Sequence, residues 1–278
     1  MVPSAPATGS RLVADAKASS KIALIDKGSF LVACGFSHRN HDDPIVFPRQ
    51  PGRAHDHTYF GNRSTNAFST PASLRKHRRT SCRRGHQPGG PAYWVPTLFV
   101  GGKAVKPIGL LAHYVRRTYA RVDPFPAGLK MIAGRMNARS PQPRRVTSWS
   151  CADSPNWLEP YLGFDGDDPG SKRGARIPTC DTEHRDLRLR VDFPNCWDGS
   201  RLDSPNHKSH MAYSSKGVCP RSHSVEVPAL TLFVYYDGFS GGPSSELSSG
   251  GQFSAHADFV NAWNQEKLAT SVNGYLNH

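Results

Sequence analysis

No stretch of apolar residues in this 278-residue chain runs far before a glycine, a proline or a charged side chain interrupts it. With 25 glycines, 23 prolines and a hydrophobic fraction of only 37%, the chain is poorly suited to long helices. Short strands joined by turns and long loops are what such a pattern builds. None of the runs approaches the roughly 20 residues that a membrane-crossing helix needs, so a membrane is not expected as a partner.

The individual runs carry strand signatures. Residues 30–36 form the first, and residues 93–100 the second, closed by Gly101-Gly102 in the manner of a hairpin. Residues 111–122 and 128–134 lean the same way, whereas residues 138–178 read as long loops. Residues 187–193 alternate apolar and charged side chains, as a half-buried strand does. Residues 225–236 make one long strand with Pro228 at an edge or bulge. The one helix is expected near the C-terminus. It starts at Ser254 to Asp258 and shows an apolar face of Phe259, Val260, Trp263 and Leu268. These elements predict a mostly β protein, a β-sandwich or jelly roll with a short C-terminal helix. Residues 1–28 read as a disordered leader and residues 29–278 as a single β-rich domain, expected to be monomeric.

Six cysteines, at positions 34, 82, 151, 180, 196 and 219, are widely spaced and include no Cys-x-x-Cys. That spacing argues against a zinc cluster or a thioredoxin-like motif and for disulfides in an oxidising compartment. Six cysteines allow 15 pairings, among which the sequence does not choose. Residues 1–20 lack the apolar stretch of a signal peptide, so a secreted location is expected from the cysteines and not from a leader.

A formal charge of +13 and a pI of about 9.7 invite a polyanionic partner. Much of the excess is arginine in loop-like stretches such as Arg75 to Arg79, which also suits a solvated basic surface. No zinc-finger spacing, basic helix with heptads or aromatic RNA-binding signature is present, so nucleic acid is not favoured.

Four polar clusters stand out. The first is His55-Asp56-His57, followed by Tyr59 and Asn62; residues two apart on a strand share a face, so His55 and His57 can act together. The others are Asp203 to Tyr213 with His207 and His210, then Cys219 to His223, and finally His256-Ala257-Asp258. Any single one of thirteen histidines reads first as a surface or core residue. The set, beside aromatic and turn residues, resembles how sites are built on β scaffolds. Three chemistries fit it. Glycoside hydrolysis needs two carboxylates, for which Asp198, Asp203 and Asp258 are candidates. A polysaccharide lyase uses His or Tyr as base and acid. Copper or zinc takes neutral imidazoles, here His55, His57, His210 and His256.

Several of these motifs, in the same order, resemble a secreted family of unassigned activity that is widespread in fungi and actinomycetes. They are Asp43-Pro44-Ile45-Val46, the run from Gln50 through His55 to Asn62, and Ala92 to Pro96. Phe193 to Gly199, Leu202 to Pro205, His207 to Tyr213, Cys219-Pro220 and His256 to Trp263 complete the set. The likeness spans roughly residues 30–277 and implies secretion and a glycan context. The leading expectation is therefore a secreted carbohydrate-active enzyme, a hydrolase or lyase without a cofactor, acting on a polysaccharide, acidic ones included. Its catalytic residues would come from His57, His207, His210, His256, Asp258, Asp198 and Asp203. Its substrate contacts would come from His55, Tyr59, Asn62, Tyr93, Trp197 and Tyr213. A secreted copper or zinc protein and a non-catalytic glycan-binding module are the alternatives.

Overall fold

The computed structural model describes residues 28–77, 79–83, 90–153, 172–181, 186–236 and 241–278; the expected leader, apart from Gly28, lies outside them. The first strand, β1 (Ser29–Asn40), is twelve residues long and serves two neighbours in turn. Its first half, Ser29 to Gly35, pairs antiparallel with β6 (Gly109–Val115). Its second half, Phe36 to Asn40, pairs with β2 (His57–Gly61), after a break in register between Phe36 and His38. A bulge of this kind bends a strand and raises its twist. It lets one continuous sheet fold over on itself.

From β6 the sheet continues through β13 (Ala229–Tyr236), β9 (Asp186–Asp192) and β8 (Thr147–Ala152). In the other direction it runs from β2 through β3 (Ala92–Pro96) and β15 (His256–Val260) to β7 (Lys130–Gly134). All these pairs are antiparallel. The two halves face each other across one core. Phe30, Val32, Tyr114, Leu189 and Leu232 come from one half, and Phe60, Tyr93, Val95, Met131 and Phe259 from the other. Phe30 stacks on Tyr114 with ring centroids 4.7 Å apart. The Tyr114 hydroxyl lies 2.6 Å from that of Tyr93 and accepts the Trp263 indole N–H at 3.1 Å. Aromatic pairs of this kind add to the burial of their area. The mostly β sandwich is thus as expected.

Two elements differ from the sequence reading. Residues 256–260 are a strand and not the start of a helix, because Ala257 and Phe259 enter the core while His256, Asp258 and Val260 take the opposite face. That is a period of two, which the helix-like spacing of Phe259, Val260 and Trp263 masks. The helix, α2 (Gln265–Ser271), starts later, where the Asn264 side chain caps the Lys267 N–H. A second short helix, α1 (Pro71–Lys76), opens on a Thr70–Ser73 capping box. Strand β8 lies within the stretch read as loop, and Pro228 separates Val225–Glu226 from β13 instead of bulging one strand. The hairpin at Gly101-Gly102 is present between β4 (Leu98–Val100) and β5 (Lys103–Ala104), with β14 (Ser245–Leu247) beside β4. Strand β10 (Cys196–Trp197) pairs with β11 (Met211–Ala212) and β12 (Val225–Glu226).

All six cysteines are paired, as Cys34–Cys82, Cys151–Cys180 and Cys196–Cys219. The first closes the longest loop, with a sequence separation of 48, and ties the bend of β1 to the segment after α1. Loop entropy alone makes it worth about 4 kcal/mol. The double change Cys34→Ser/Cys82→Ser is expected to lower stability by about that amount in a denaturant titration; a loss under about 1 kcal/mol would show that the bend holds itself.

Candidate metal centre

The outer face of the β2–β3–β15–β7 half is not left to solvent. Tyr59, Trp94, Ile132 and Val260 project from its four strands and pack against Ile45 from a loop and Leu74 from α1, which cover it. Along the same face, one step up each strand, stand His57 on β2 and His256 on β15. Between them β3 presents Pro96, which pairs with His57, and on the far side of β15, β7 presents Gly134, which pairs with His256. The compact proline between them leaves room for both imidazoles to lean together, and their ring centroids are 5.9 Å apart. Gly134 has a positive φ of 84°, and a Cβ there would stand 2.5 Å from the Ala255 carbonyl oxygen and 2.9 Å from the His256 Cα. No side chain is accommodated at that point.

His55, on the approach to β2, completes the group. Its Nε2 lies 3.2 Å from that of His256, and its ring centroid is 4.1 Å from that of His57. One ligand atom from each of His55, His57 and His256 falls within 4.8 Å of the other two. The same holds for Asp43, His57 and Asp258. His57, His256 and Asp258 are each 0% exposed, whereas His55 is only half-buried.

The hydrogen bonds assign the tautomers. The His57 Nδ1–H donates to the Asp42 carbonyl at 2.9 Å, and the His256 Nδ1–H to the Ser254 carbonyl at 2.9 Å. A ring that donates through Nδ1 carries its lone pair on Nε2. His57 Nε2 has no hydrogen-bond partner, and neither carboxylate oxygen of Asp258 has one. The nearest basic nitrogen to that carboxylate is His256 Nε2, 3.8 Å from Oδ2. Buried polar atoms are nearly always paired, so three orphans in one cluster are a specific signal.

Burial also dominates the charge states. It pushes His57 far below the usual imidazole range, with His55 and His256 adding to the effect. It lowers His55 to about 4, with a contribution from His41, and His256 to about 3, with one from His55. Asp258 is pushed well up by burial and by Asp43, against the pull of Lys208. Asp43 is also raised by burial, although the Val46 and Ile45 N–H groups that it accepts at 2.9 and 2.8 Å oppose the shift. Lys208 donates to the Gly134 carbonyl at the edge of the cluster. At neutral pH the cluster therefore presents neutral imidazoles, the form that ligates metals.

The remaining sequence candidates stand elsewhere or are already engaged. His210 uses both ring nitrogens, with Ser204 Oγ at 2.9 Å and the Lys130 carbonyl at 2.7 Å. His207 pairs with Asp203 at 2.9 Å, and Asp203 also meets Lys130 at 3.2 Å. Burial raises Asp198, but the N–H groups of Arg201 and Ser200 outweigh it and hold the carboxyl far below the general-acid range. Asn62 spends its amide on the carbonyls of Leu74 and His77. Tyr93 is in the core, Tyr59 donates to the Asp42 carbonyl, Trp197 to the Arg201 carbonyl and Tyr213 to the Asp192 carbonyl. Asp56 turns away from its two histidines to meet Arg39 at 2.9 Å. Asp43 and Lys208 are the members that residue chemistry alone did not single out. Asp43 sits before a proline in what reads as a turn, and only the chain path brings it 14 residues back onto His57.

Two outcomes follow for protein stripped with chelator. Because His55 stays neutral when folded, the stability it contributes is complete above pH 6.5 and is lost as pH falls toward about 4. Replacing it, as His55→Gln, is expected to flatten the acid side of a stability–pH curve by up to about 1.4 kcal/mol per pH unit in that window. Parallel curves would show that His55 titrates normally. Gly134→Ala is expected to cost about 2 kcal/mol or more in the same assay, through both contact and positive φ.

Compared with known proteins, residues 43–263 match the domain-of-unknown-function family DUF1996, and no curated protein or solved structure matches the chain significantly. The matched segment contains all five residues of the cluster, from Asp43 to Asp258, and most of the chain; the protein belongs to the DUF1996 family.

Proposed function

We infer that this is an extracellular metal-binding protein, with a single transition-metal ion held by His55, His57 and His256 and a carboxylate from Asp258 or Asp43. The observation that carries the reading is the orphaned set. Nε2 of His57 and both oxygens of Asp258 are fully buried without a partner, beside two further imidazole nitrogens. A hydrogen-bonded network would have paired them; a cation satisfies all at once.

Geometry and second contacts support the reading. Two ligands each about 2.1 Å from one ion are at most about 4.2 Å apart. The 3.2 Å pair fits unchanged, and atoms at the 4.8 Å limit close by less than an ångström. Ligating histidines normally donate their other ring nitrogen to a carbonyl or carboxylate, as His57 and His256 do to Asp42 and Ser254. No thiolate is at hand, since every cysteine is in a disulfide. Imidazole with carboxylate suits Zn²⁺ or Cu²⁺. Three disulfides are consistent with an extracellular protein. When bound, such an ion would supply a Lewis acid. The chain's own part is to fix the tautomers through Asp42 and Ser254 and to keep the imidazoles unprotonated. Hydrolysis or lysis of a glycan through His207, His210 and the Asp198–Asp203 pair has less support, because those groups are saturated by other partners.

Elemental analysis of untagged protein, and titration of the chelated protein with Zn²⁺ and Cu²⁺, test the reading. About one ion per chain is expected, with affinity reduced at least about tenfold in His55→Ala and Asp258→Asn. Absence of stoichiometric metal in both experiments, with the chelated protein still folded, would overturn it.

A further inference from the structure

Between His57 and Val122 the chain carries Lys or Arg at twelve positions and no Asp or Glu at all. One part of this acid-free stretch is held in a defined place by the fold. Residues 79–83 enter the angle where β1 leaves β2 for β6. The Arg63 N–H donates to the Arg79 carbonyl at 2.9 Å and the Ser81 N–H to the Gly61 carbonyl at 2.8 Å. On the other side the Gly35 N–H donates to the Ser81 carbonyl at 3.0 Å, and the Arg83 N–H to the Ala33 carbonyl at 3.0 Å. The strip is therefore bonded on both edges, with bridges at Asn62–Thr80 and Cys34–Cys82.

An extended strip alternates its side chains. Cys82 points inward, buried and in disulfide with Cys34. Arg79 and Arg83 fall on the opposite face and are exposed, as is Arg63 on the neighbouring edge. Lys106, also exposed, holds its Nζ 5.3 Å over the Phe36 ring at the same bend. None of the four forms an ion pair with a carboxylate among the described residues. Three arginines and a lysine thus project from one disulfide-pinned corner, with no counter-charge paired to them among the described residues.

We propose that this corner, formed by Arg63, Arg79, Arg83 and Lys106, is a docking surface for an acidic polysaccharide. Guanidinium groups bind carboxylate and sulfate bidentately, and holding them on bonded backbone lowers the ordering cost of binding. The disulfides favour an extracellular polyanion over nucleic acid. The surface is argued independently of the metal cluster, and either can fail without the other.

Binding of the disulfide-intact protein to immobilised polygalacturonate, between about 50 and 200 mM salt, is the test. Affinity is expected to fall steeply with salt. Arg63→Gln/Arg79→Gln/Arg83→Gln is expected to weaken it about tenfold and flatten the salt slope, from three pairs of modest worth each. The control Arg116→Gln/Arg121→Gln/Lys216→Gln removes the same charge at the opposite end of β1, about 20 Å away, and is expected to change affinity less than about twofold. If the first variant loses its near-ultraviolet circular dichroism, the single changes Arg79→Gln and Arg83→Gln replace it, each expected to weaken binding about twofold. Equal losses in both triple variants, no binding by the natural protein, or tighter binding to a single-stranded oligonucleotide of equal charge would each overturn the proposal.

Discussion

Strand β1 has to satisfy β6 with its first seven residues and β2 with its last five, and no flat strand can do both. The register break between Phe36 and His38 resolves the conflict, and the consequences spread outward from it. It turns nine strands in one hydrogen-bonded series into two faces of a sandwich. It brings Tyr93 of one half against Tyr114 of the other. It also opens an angle that residues 79–83 fill and that Cys34–Cys82 closes. The basic corner and the core thus share one cause.

The second constraint is dielectric. A sandwich normally leaves its outer faces half wet, but here the loop carrying Asp43 and Ile45 lies over the β2–β3–β15–β7 face. That cover removes water from His57, His256 and Asp258. Charged imidazoles then become costly, and an unpaired carboxylate more so. A fold assembled only for stability would place apolar side chains on that face, as it does one step along at Tyr59, Trp94 and Ile132. The chain instead retains two carboxyls and three imidazoles there, with His57 Nε2 and both Asp258 oxygens left without a hydrogen-bond partner, which is the demand that the proposed cation would meet.

Much of the site's membership was visible in the residues and much of its geometry was not. His55 and His57 are two apart, so a strand sets them side by side wherever it lies. The motif His256-Ala257-Asp258 works in the same way once it is a strand. Read as a helix start, it would have turned its two polar groups apart. The neighbouring Asp203 to Tyr213 motif looks equally rich in sequence, yet His210 is consumed by Ser204 and Lys130, and His207 by Asp203. Composition cannot separate a histidine with two partners from one with a free lone pair.

Local pattern by itself determined the β class, the hairpin at Gly101-Gly102, the disulfide-bonded state of the cysteines and the pairing of His55 with His57. Each depends on alternation, turn chemistry or residue type over a few positions. Only the tertiary structure decided which cysteines join, that residues 256–260 belong to a central strand, and that Asp43 and Lys208 meet His57, His256 and Asp258. These outcomes depend on which strands become neighbours and on what is buried over them. Both are set by long-range packing, to which a short window of sequence is blind.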